Sequence, residues 1–367
     1  MSGSSAQGAA GNAAGMRTDF LSIQYLRGLA AAGVLLFHSS QRAGAAFGAG
    51  ASGVDVFFVI SGFIMWTVSA RRAAGPGDFL LRRAGRIAPL YWTVTLLVVS
   101  IDLLRPSVFP NMRLDAPHVI QSLLFLPHRD PMGDIAPVIV PGWTLNYEAF
   151  FYIVFAFTLL IPAGRRAWSL TAALGGLCLV GLFLPHGRWA ALDTYTDPLV
   201  LEFVAGAWLA KAAAAGRLGG MVAAWIAIGL GLLILAVVAV TGADVRGWAR
   251  LVYWGLPALL IVWGALSLEG SSRVPNFAPL KLLGDASYSI YLAHGLALSL
   301  AFKLIGGLAL PFWMQVGIAA PFGVVAGVGC YYLLERPLLV VFHGRGKRPA
   351  GDRRTTAWPF LRAKASS

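Results

Sequence analysis

The sequence predicts an all-α, polytopic membrane protein, a transmembrane helical bundle of about ten spans with both termini in the cytoplasm. Composition is the first observation behind this fold class: 57% of the 367 residues are hydrophobic, only 12% are charged, and the mean hydropathy is +0.71. Soluble proteins carry about 25% charged residues. The second observation is that the apolar residues fall into runs of about 20, the length that a helix needs to cross a bilayer.

Ten apolar runs follow one another along the chain. Their approximate bounds are 20–40, 54–71, 87–104, 143–162, 168–185, 198–214, 221–241, 247–268, 282–305 and 312–341. The first run is long and contains an arginine, so we predict a retained span instead of a cleaved signal peptide. The chain is therefore divided into a disordered lead-in (1–18), a transmembrane domain (19–342) and a basic cytoplasmic tail (343–367).

The net charge of +13 arises from 29 Lys and Arg against 16 Asp and Glu. The basic residues lie between the apolar runs and form neither a patch nor a stripe, so nucleic acid is not an expected partner. With the N-terminus in the cytoplasm, most of them fall on the cytoplasmic side, in agreement with the positive-inside rule. Topology therefore explains the charge, and membrane lipids are the expected surroundings.

Arg27 and His38 both lie in the first run, LSIQYLRGLAAAGVLLFHSS. Eleven positions correspond to about three helical turns, so both side chains lie on one helix face with a rise of roughly 16 Å between them. Ionisable residues are costly in hydrocarbon and mark functional sites. The alternative is that Arg27 extends to the headgroup layer and His38 marks the helix end.

Arg83 and Arg86 precede the third run and share a helix face, because they are three residues apart. A pair of guanidinium groups suits phosphate oxygens. The alternative is that any cytoplasmic connection collects arginine by topology alone. The sequence contains no HExxH, P-loop, dinucleotide-binding or EF-hand motif, so neither a metal nor a nucleotide site of familiar type is expected.

Two carboxylates stand near the starts of apolar runs. Glu148 lies in WTLNYEAFFY, at about the depth expected for His38. A carboxylate in apolar surroundings needs a partner, and we expect His38 to be that partner, with Glu148 fixing its tautomer. Asp55 lies in GVDVFFVISGF, where it either contributes to the site beside His38 or caps the second helix.

Tyr288, Tyr291 and His294 recur at every third position of the ninth run and form one polar stripe. We expect this stripe to face the interior of the bundle, with Tyr291 and His294 as candidates for substrate binding. For His294 a purely structural role is an equal alternative. At the end of the last run, Glu335 and Arg336 are predicted to anchor the helix at the cytoplasmic surface before Pro337.

These segments together resemble the integral-membrane acyltransferase-3 family. The resemblance rests on five segments in the family's order, which are Arg27-x10-His38, GVDVFFVISGF (53–63), RRAGRIAPLYW (82–92), WTLNYEAFFY (143–152) and SYSIYLAH (287–294). They cover essentially the whole membrane region. The second and fourth look most similar to exopolysaccharide O-acetyltransferases of the succinoglycan type.

The resemblance implies a bacterial inner-membrane enzyme that moves an acyl group, usually acetyl from cytoplasmic acetyl-CoA, to a hydroxyl of a cell-surface or exported polysaccharide or its lipid-linked precursor. It implies acyl-CoA as co-substrate, no metal, and polysaccharide assembly machinery as a candidate partner. The catalytic positions that it implies are His38, Glu148 and Arg27, and the acyl-CoA-binding positions are Arg83, Arg86 and Arg27.

A function from a different class is also open to this sequence. Buried charges mark transport pathways as well as catalytic sites, so a transporter or flippase for a glycan precursor or an organic anion is the alternative. The acceptor sugar, the acylated hydroxyl and the identity of the acyl group are left open by the sequence.

Overall fold

The computed structural model of the protein describes residues 20–45, 47–71, 75–110, 112–241, 245–271 and 274–343. The predicted lead-in (1–18), and the predicted tail beyond residue 343, lie outside these ranges. In chain order the helices are α1 (Leu21–Arg42), α2 (Gly53–Arg71), α3 (Pro76–Leu104), α4 (Ala116–Leu123), α5 (Trp143–Thr158), α6 (Ala163–Gly181), α7 (Ala190–Tyr195), α8 (Val200–Ala214), α9 (Met221–Thr241), α10 (Gly247–Gly270), α11 (Ala278–Asp285), α12 (Ser287–Ile305) and α13 (Phe312–Cys330, continued by Tyr331–Glu335 and Arg336–His343).

Seven of the described helices are long and apolar enough to cross a membrane, namely α1, α2, α3, α9, α10, α12 and α13. The predicted helical membrane bundle is thereby confirmed. The other three predicted runs fall on α5, α6 and α8. Helices α5 and α8 have 16 and 15 residues, fewer than the roughly 20 that a full crossing needs. The count of ten spans and the cytoplasmic termini stay predictions.

Helix α3 begins well before its predicted start at residue 87. Gly75 precedes it and Pro76 occupies its first turn, where proline has the right backbone angle and needs no amide partner. The helix is 29 residues long. Arg83 and Arg86 therefore lie on α3 itself. The apolar pattern had placed them in the connection before α3, because the first turns of this helix are polar and hydropathy alone does not detect them.

Helices α2 and α8 approach so closely that only glycine fits at their crossing. A Cβ atom on Gly62 would lie 2.0 Å from the Phe203 carbonyl oxygen, and one on Gly206 would lie 2.0 Å from that of Val59. Small residues allow this kind of backbone contact between membrane helices. The short helix α8 is consequently held in the interior of the bundle, with Phe203 fully buried.

The start of α1 is held by a carboxylate from the end of α10. Glu269 accepts hydrogen bonds from the backbone amides of Leu21 (3.0 Å) and Ser22 (2.9 Å) and from the Ser22 hydroxyl (2.6 Å). These amides have no partner within the helix, and a negative charge at a helix N-terminus is stabilising. The contact determines the position of α1, and with it that of Arg27 one and a half turns further along.

Two of the membrane helices contain a π-helical turn. In α10 the turn covers Leu251–Gly255, directly after Arg250, and in α13 it covers Tyr331–Glu335. Such turns occur mostly at functional sites. In this protein both lie next to a charged side chain that forms a buried ion pair, as described below.

Candidate active site

Two cavities follow one another along the axis of the bundle. The first, which we call the arginine cavity, has a volume of about 150 Å³ and is lined by Arg27, Arg83, Arg86 and Glu148 among others. The second, the histidine cavity, has a volume of about 560 Å³. Its polar and aromatic lining includes His38, Arg42, Trp143, Arg250, Trp254 and His294.

Tyr291 forms part of the wall of both cavities. Its hydroxyl lies 3.1 Å from the Thr144 hydroxyl, which in turn donates to the Pro141 carbonyl at 3.0 Å. The Tyr291 ring packs edge-on against Phe57, with 5.6 Å between the ring centroids. Tyr291 thus stands between the two spaces, and the predicted polar stripe of α12 does face the interior, with Tyr288 lining the arginine cavity.

Arg86 is one of the three cations of the arginine cavity, and it is neutralised by Glu335. Its guanidinium lies 2.5 Å from one Glu335 carboxylate oxygen, and the other oxygen accepts a 2.6 Å hydrogen bond from Ser289. The Glu335 side chain is 1% exposed. The prediction that Glu335 anchors α13 at the surface is therefore wrong, because the π-helical turn directs the carboxylate inward onto Arg86.

Arg27 and Arg83 are not neutralised in this way. In the part of the chain that the structure describes, neither forms an ion pair, and the buried Nε of Arg83 has no hydrogen-bond partner. Glu148 lies in the same cavity and attracts the Arg27 charge without contacting it. Two guanidinium groups that are free of ion pairs thus face a small cavity, which is the arrangement that an anionic ligand needs.

Glu148 does not pair with His38, so the predicted carboxylate–histidine contact is wrong. The Glu148 carboxylate accepts hydrogen bonds from the Ser61 hydroxyl at 3.0 Å and from the Tyr152 hydroxyl. Trp143 at the start of α5 lines the histidine cavity, whereas Glu148 is five residues further on, about 7.5 Å deeper and turned by roughly 140°. Glu148 and His38 were expected at a similar depth in the membrane, but their side chains do not face each other.

His38 lies near the end of α1 in the histidine cavity and is stacked on His294. The ring centroids are 5.0 Å apart and the planes are inclined by 20°. His38 Nδ1 lies 3.2 Å from Gln41 Oε1, and His294 Nδ1 lies 2.5 Å from the Tyr291 carbonyl oxygen. When Nδ1 of a neutral imidazole donates, Nε2 is the basic atom. Each ring therefore presents Nε2 as its acceptor.

Asp55 has neither of the two roles considered for it. Its carboxylate is fully buried and binds Arg250 through two hydrogen bonds of 3.0 Å each, so it neither caps α2 nor contacts His38. The Arg250 guanidinium lies over the rings of Trp254 and Trp143, 4.8 Å and 5.7 Å from their centroids. Asp55 therefore acts on the histidine cavity indirectly, by orienting Arg250 in its wall.

Three charged residues that line the histidine cavity were not singled out from the sequence, namely Arg42, Arg246 and Arg250. Arg250 was detectable in principle, since it lies inside the apolar run 247–268, where an arginine is costly. No sequence pattern indicated which residues form ion pairs with each other. Asp55 and Arg250 are 195 residues apart in the sequence, and Arg86 and Glu335 are 249 residues apart.

Comparison with known proteins agrees with this arrangement. The profile of the acyltransferase-3 family, described as an acyltransferase domain, matches residues 20–335. The chain belongs to this family. As an acyltransferase it is similar to the exopolysaccharide production protein ExoZ of Rhizobium meliloti, with 42% identity over 86% of this chain and 96% of the relative. The membership favours an enzyme over the transporter alternative.

Two further relatives are also named for acyl transfer. The putative membrane-bound transacylase BcsY of Komagataeibacter xylinus is 30% identical to this acyltransferase over 86% of the chain and 81% of the relative. The peptidoglycan O-acetyltransferase OatA of Listeria monocytogenes is 25% identical over 74% of the chain and 48% of the relative. No solved structure matches the chain at a significant level.

Proposed function

We propose that this acyltransferase moves an acyl group, usually acetyl, from cytoplasmic acyl-CoA to a hydroxyl of an exported or cell-surface polysaccharide or of its lipid-linked precursor, in the bacterial inner membrane. One observation carries the proposal. A cavity containing a histidine with a basic Nε2 adjoins a second cavity with two arginines free of ion pairs, and Tyr291 is common to both. The similarity to an exopolysaccharide production protein supports the choice of acceptor.

The arginine cavity is the proposed donor side. Guanidinium groups form strong, often paired hydrogen bonds with phosphate oxygens, so Arg83 and Arg27 would bind the phosphates of CoA. Arg86 forms an ion pair with Glu335, so it would contribute to the shape of the site and to its electrostatic potential. At about 150 Å³ the cavity is smaller than the roughly 300 Å³ of a typical ligand pocket, which suits the narrow pantetheine arm of CoA, directed toward Tyr291.

The chemistry is proposed to take place at His38. Its Nε2 accepts the proton of the acceptor hydroxyl, and the oxygen attacks the thioester carbonyl. A carbon–oxygen bond forms, the carbon–sulfur bond breaks, and the departing CoA thiolate takes the proton from the imidazolium. Gln41 holds the His38 tautomer through Nδ1, the role first expected of Glu148. An acyl-histidine intermediate is the alternative route.

Glu148 has a supporting place in this scheme. It offsets part of the positive charge of the arginine cavity and orients the Tyr152 hydroxyl. A half-buried carboxylate that accepts hydrogen bonds from two hydroxyl groups does not need a histidine partner. We therefore propose that Glu148 positions the donor and does not act as the catalytic carboxylate that the resemblance implies.

The test is radiolabelled acetyl transfer by the purified full-length protein in detergent. His38→Ala should reduce transfer from acetyl-CoA by about 10²- to 10⁴-fold, the usual contribution of a general base. His186→Ala is the matched control, since that histidine is exposed. An unchanged size-exclusion profile would show that the variant is folded, and full activity of folded His38→Ala would disprove the mechanism. Acid quenching with mass spectrometry of the His38 peptide tests the acyl-histidine route.

A further inference from the structure

The histidine cavity carries positive charge that its own lining does not balance. Arg42 and Arg250 are among the residues that line it, and among the described residues in its wall none is acidic. The charge of Arg250 is balanced from behind, by Asp55. A cationic wall of this kind attracts an anionic ligand.

Arg42 is the cation at the exposed end of α1. Its guanidinium donates to the Ser299 hydroxyl at 2.9 Å and to the Gly295 carbonyl at 3.4 Å, both of them neutral. Within the described chain no carboxylate lies within ion-pair distance of it. These two contacts direct the guanidinium along the cavity wall formed by α12 and leave its charge available to a ligand.

The remaining lining suits a sugar. The indole rings of Trp143 and Trp254 line the cavity together with Arg250, whose guanidinium lies within about 6 Å of both ring centroids. Aromatic rings provide large, flat contact areas, and the apolar faces of pyranose rings pack against such surfaces. The volume of about 560 Å³ lies within the range of pockets that bury a whole small ligand, and is sufficient for a disaccharide.

We infer that the histidine cavity binds an anionic saccharide, whose phosphate or carboxylate group lies on Arg42 while a nearby hydroxyl lies at His38. The inference rests on the proposed function and specifies its acceptor. Arg42 follows His38 by four residues, about one helical turn or 6 Å along α1. The acylated hydroxyl and the negative charge are therefore on the same sugar or on adjacent sugars.

A carboxylate on the acyl group itself is the competing source of charge. Such a group would arrive with the donor, past Tyr291, whereas Arg42 lies at the solvent-exposed end of the cavity. The exposed position favours a ligand that enters from that end, as an acceptor would. The competing source is tested directly below by the choice of acyl-CoA.

The experiment has two arms. The first measures binding of three matched disaccharides to the purified full-length protein without acyl-CoA, and the second compares transfer from succinyl-CoA with transfer from acetyl-CoA. The probes are cellobiose, cellobiouronic acid and cellobiose 1-phosphate, which differ only in charge and its source. At least one charged probe should bind the wild-type protein about tenfold more tightly than cellobiose, and Arg42→Gln should reduce this preference to about twofold or less. Arg188→Gln, which removes an exposed arginine stacked on Trp189, should retain the preference.

Several outcomes overturn the inference. They are equal binding of all three probes, no binding of either charged probe, an undiminished preference in Arg42→Gln, and an Arg42→Gln variant that instead changes the preference for succinyl-CoA over acetyl-CoA. The proposed function is judged separately, by acetyl transfer from acetyl-CoA. Transfer without a charge preference leaves the function standing and removes the inference. Charge-dependent binding without any transfer supports the inference about the cavity and removes the function.

Discussion

The arginine cavity and the histidine cavity both contain cations, but the protein balances their charge differently. In the arginine cavity, carboxylates accompany the cations: Glu335 binds Arg86, and Glu148 lines the same space as Arg27. In the histidine cavity the described lining has no carboxylate, and Asp55 balances Arg250 from behind the wall. The difference teaches that the arginine cavity has carboxylates among the side chains at its cations, whereas the counter-ion of Arg250 lies outside the lining of the histidine cavity.

The largest expected effect tests the buried pair behind the histidine cavity. Asp55→Ala should destabilise the protein by about 3–5 kcal/mol, because Arg250 is left without its counter-ion in a buried site. The melting temperature in detergent measures it. The double variant Asp55→Ala, Arg250→Met should recover most of the loss, since no unpaired charge then remains.

The corresponding pair at the arginine cavity should be less sensitive. Arg86 is 28% exposed, compared with 15% for Arg250. Glu335→Ala should therefore lower the melting temperature less than Asp55→Ala does. Equal losses in the two variants would mean that the two cavities do not differ in the way their charges are balanced.

A smaller expected effect is kinetic and tests whether the arginine cavity binds the donor. Arg83→Gln should raise the KM for acetyl-CoA about tenfold or more, because a charge-assisted hydrogen bond contributes roughly 1.5–3 kcal/mol, while kcat changes little. Arg82→Gln, one position away on α3 and outside the cavity lining, is the matched control. If Arg82→Gln raised the KM as much as Arg83→Gln, the arginine cavity would not be the donor site.

The positions of the helices could be predicted from the sequence, because the length of an apolar run depends only on neighbouring residues. Each predicted run coincides with a described helix, and the main boundary error, at α3, arose where polar first turns extend the helix beyond its apolar part. The polar stripe of α12 was likewise predictable, since residues three apart share a helix face.

The partners of the charged residues were not predictable for a physical reason. The direction of a side chain in a bundle depends on the rotation and tilt of its helix, and these are determined by packing, such as the contact of Gly62 and Gly206. Glu148 illustrates this, since it was expected at the depth of His38 but lies in the arginine cavity, where its partners are Ser61 and Tyr152. The partners of charged residues that are distant in the sequence can therefore be identified only once the packing of the helices is known.

The smallest expected effect concerns the segment between α3 and α5, which contributes Val138 and Ile139 to the histidine cavity. Two buried imidazoles hold it: His118 Nδ1 lies 2.7 Å from His128 Nε2, and His128 Nδ1 lies 2.7 Å from the Leu126 carbonyl oxygen. With both rings neutral, each Nδ1–H has an acceptor. An additional proton on the pair would place a charge in a buried site.

Burial, followed by the neighbouring His128, lowers the pKa of His118 below its usual 6.5, while Asp130 and Asp115 oppose the shift. The opened segment therefore binds a proton more readily than the closed one, so the stability of the closed form is fully present above pH 6.5 and is lost as the pH falls through the lowered pKa. Hydrogen exchange of residues 112–139, corrected for intrinsic rates, should be faster at pH 5.5 than at pH 7.5. Helix α11, beside the arginine cavity and without histidine, should show no such change, and the difference should disappear in His118→Gln.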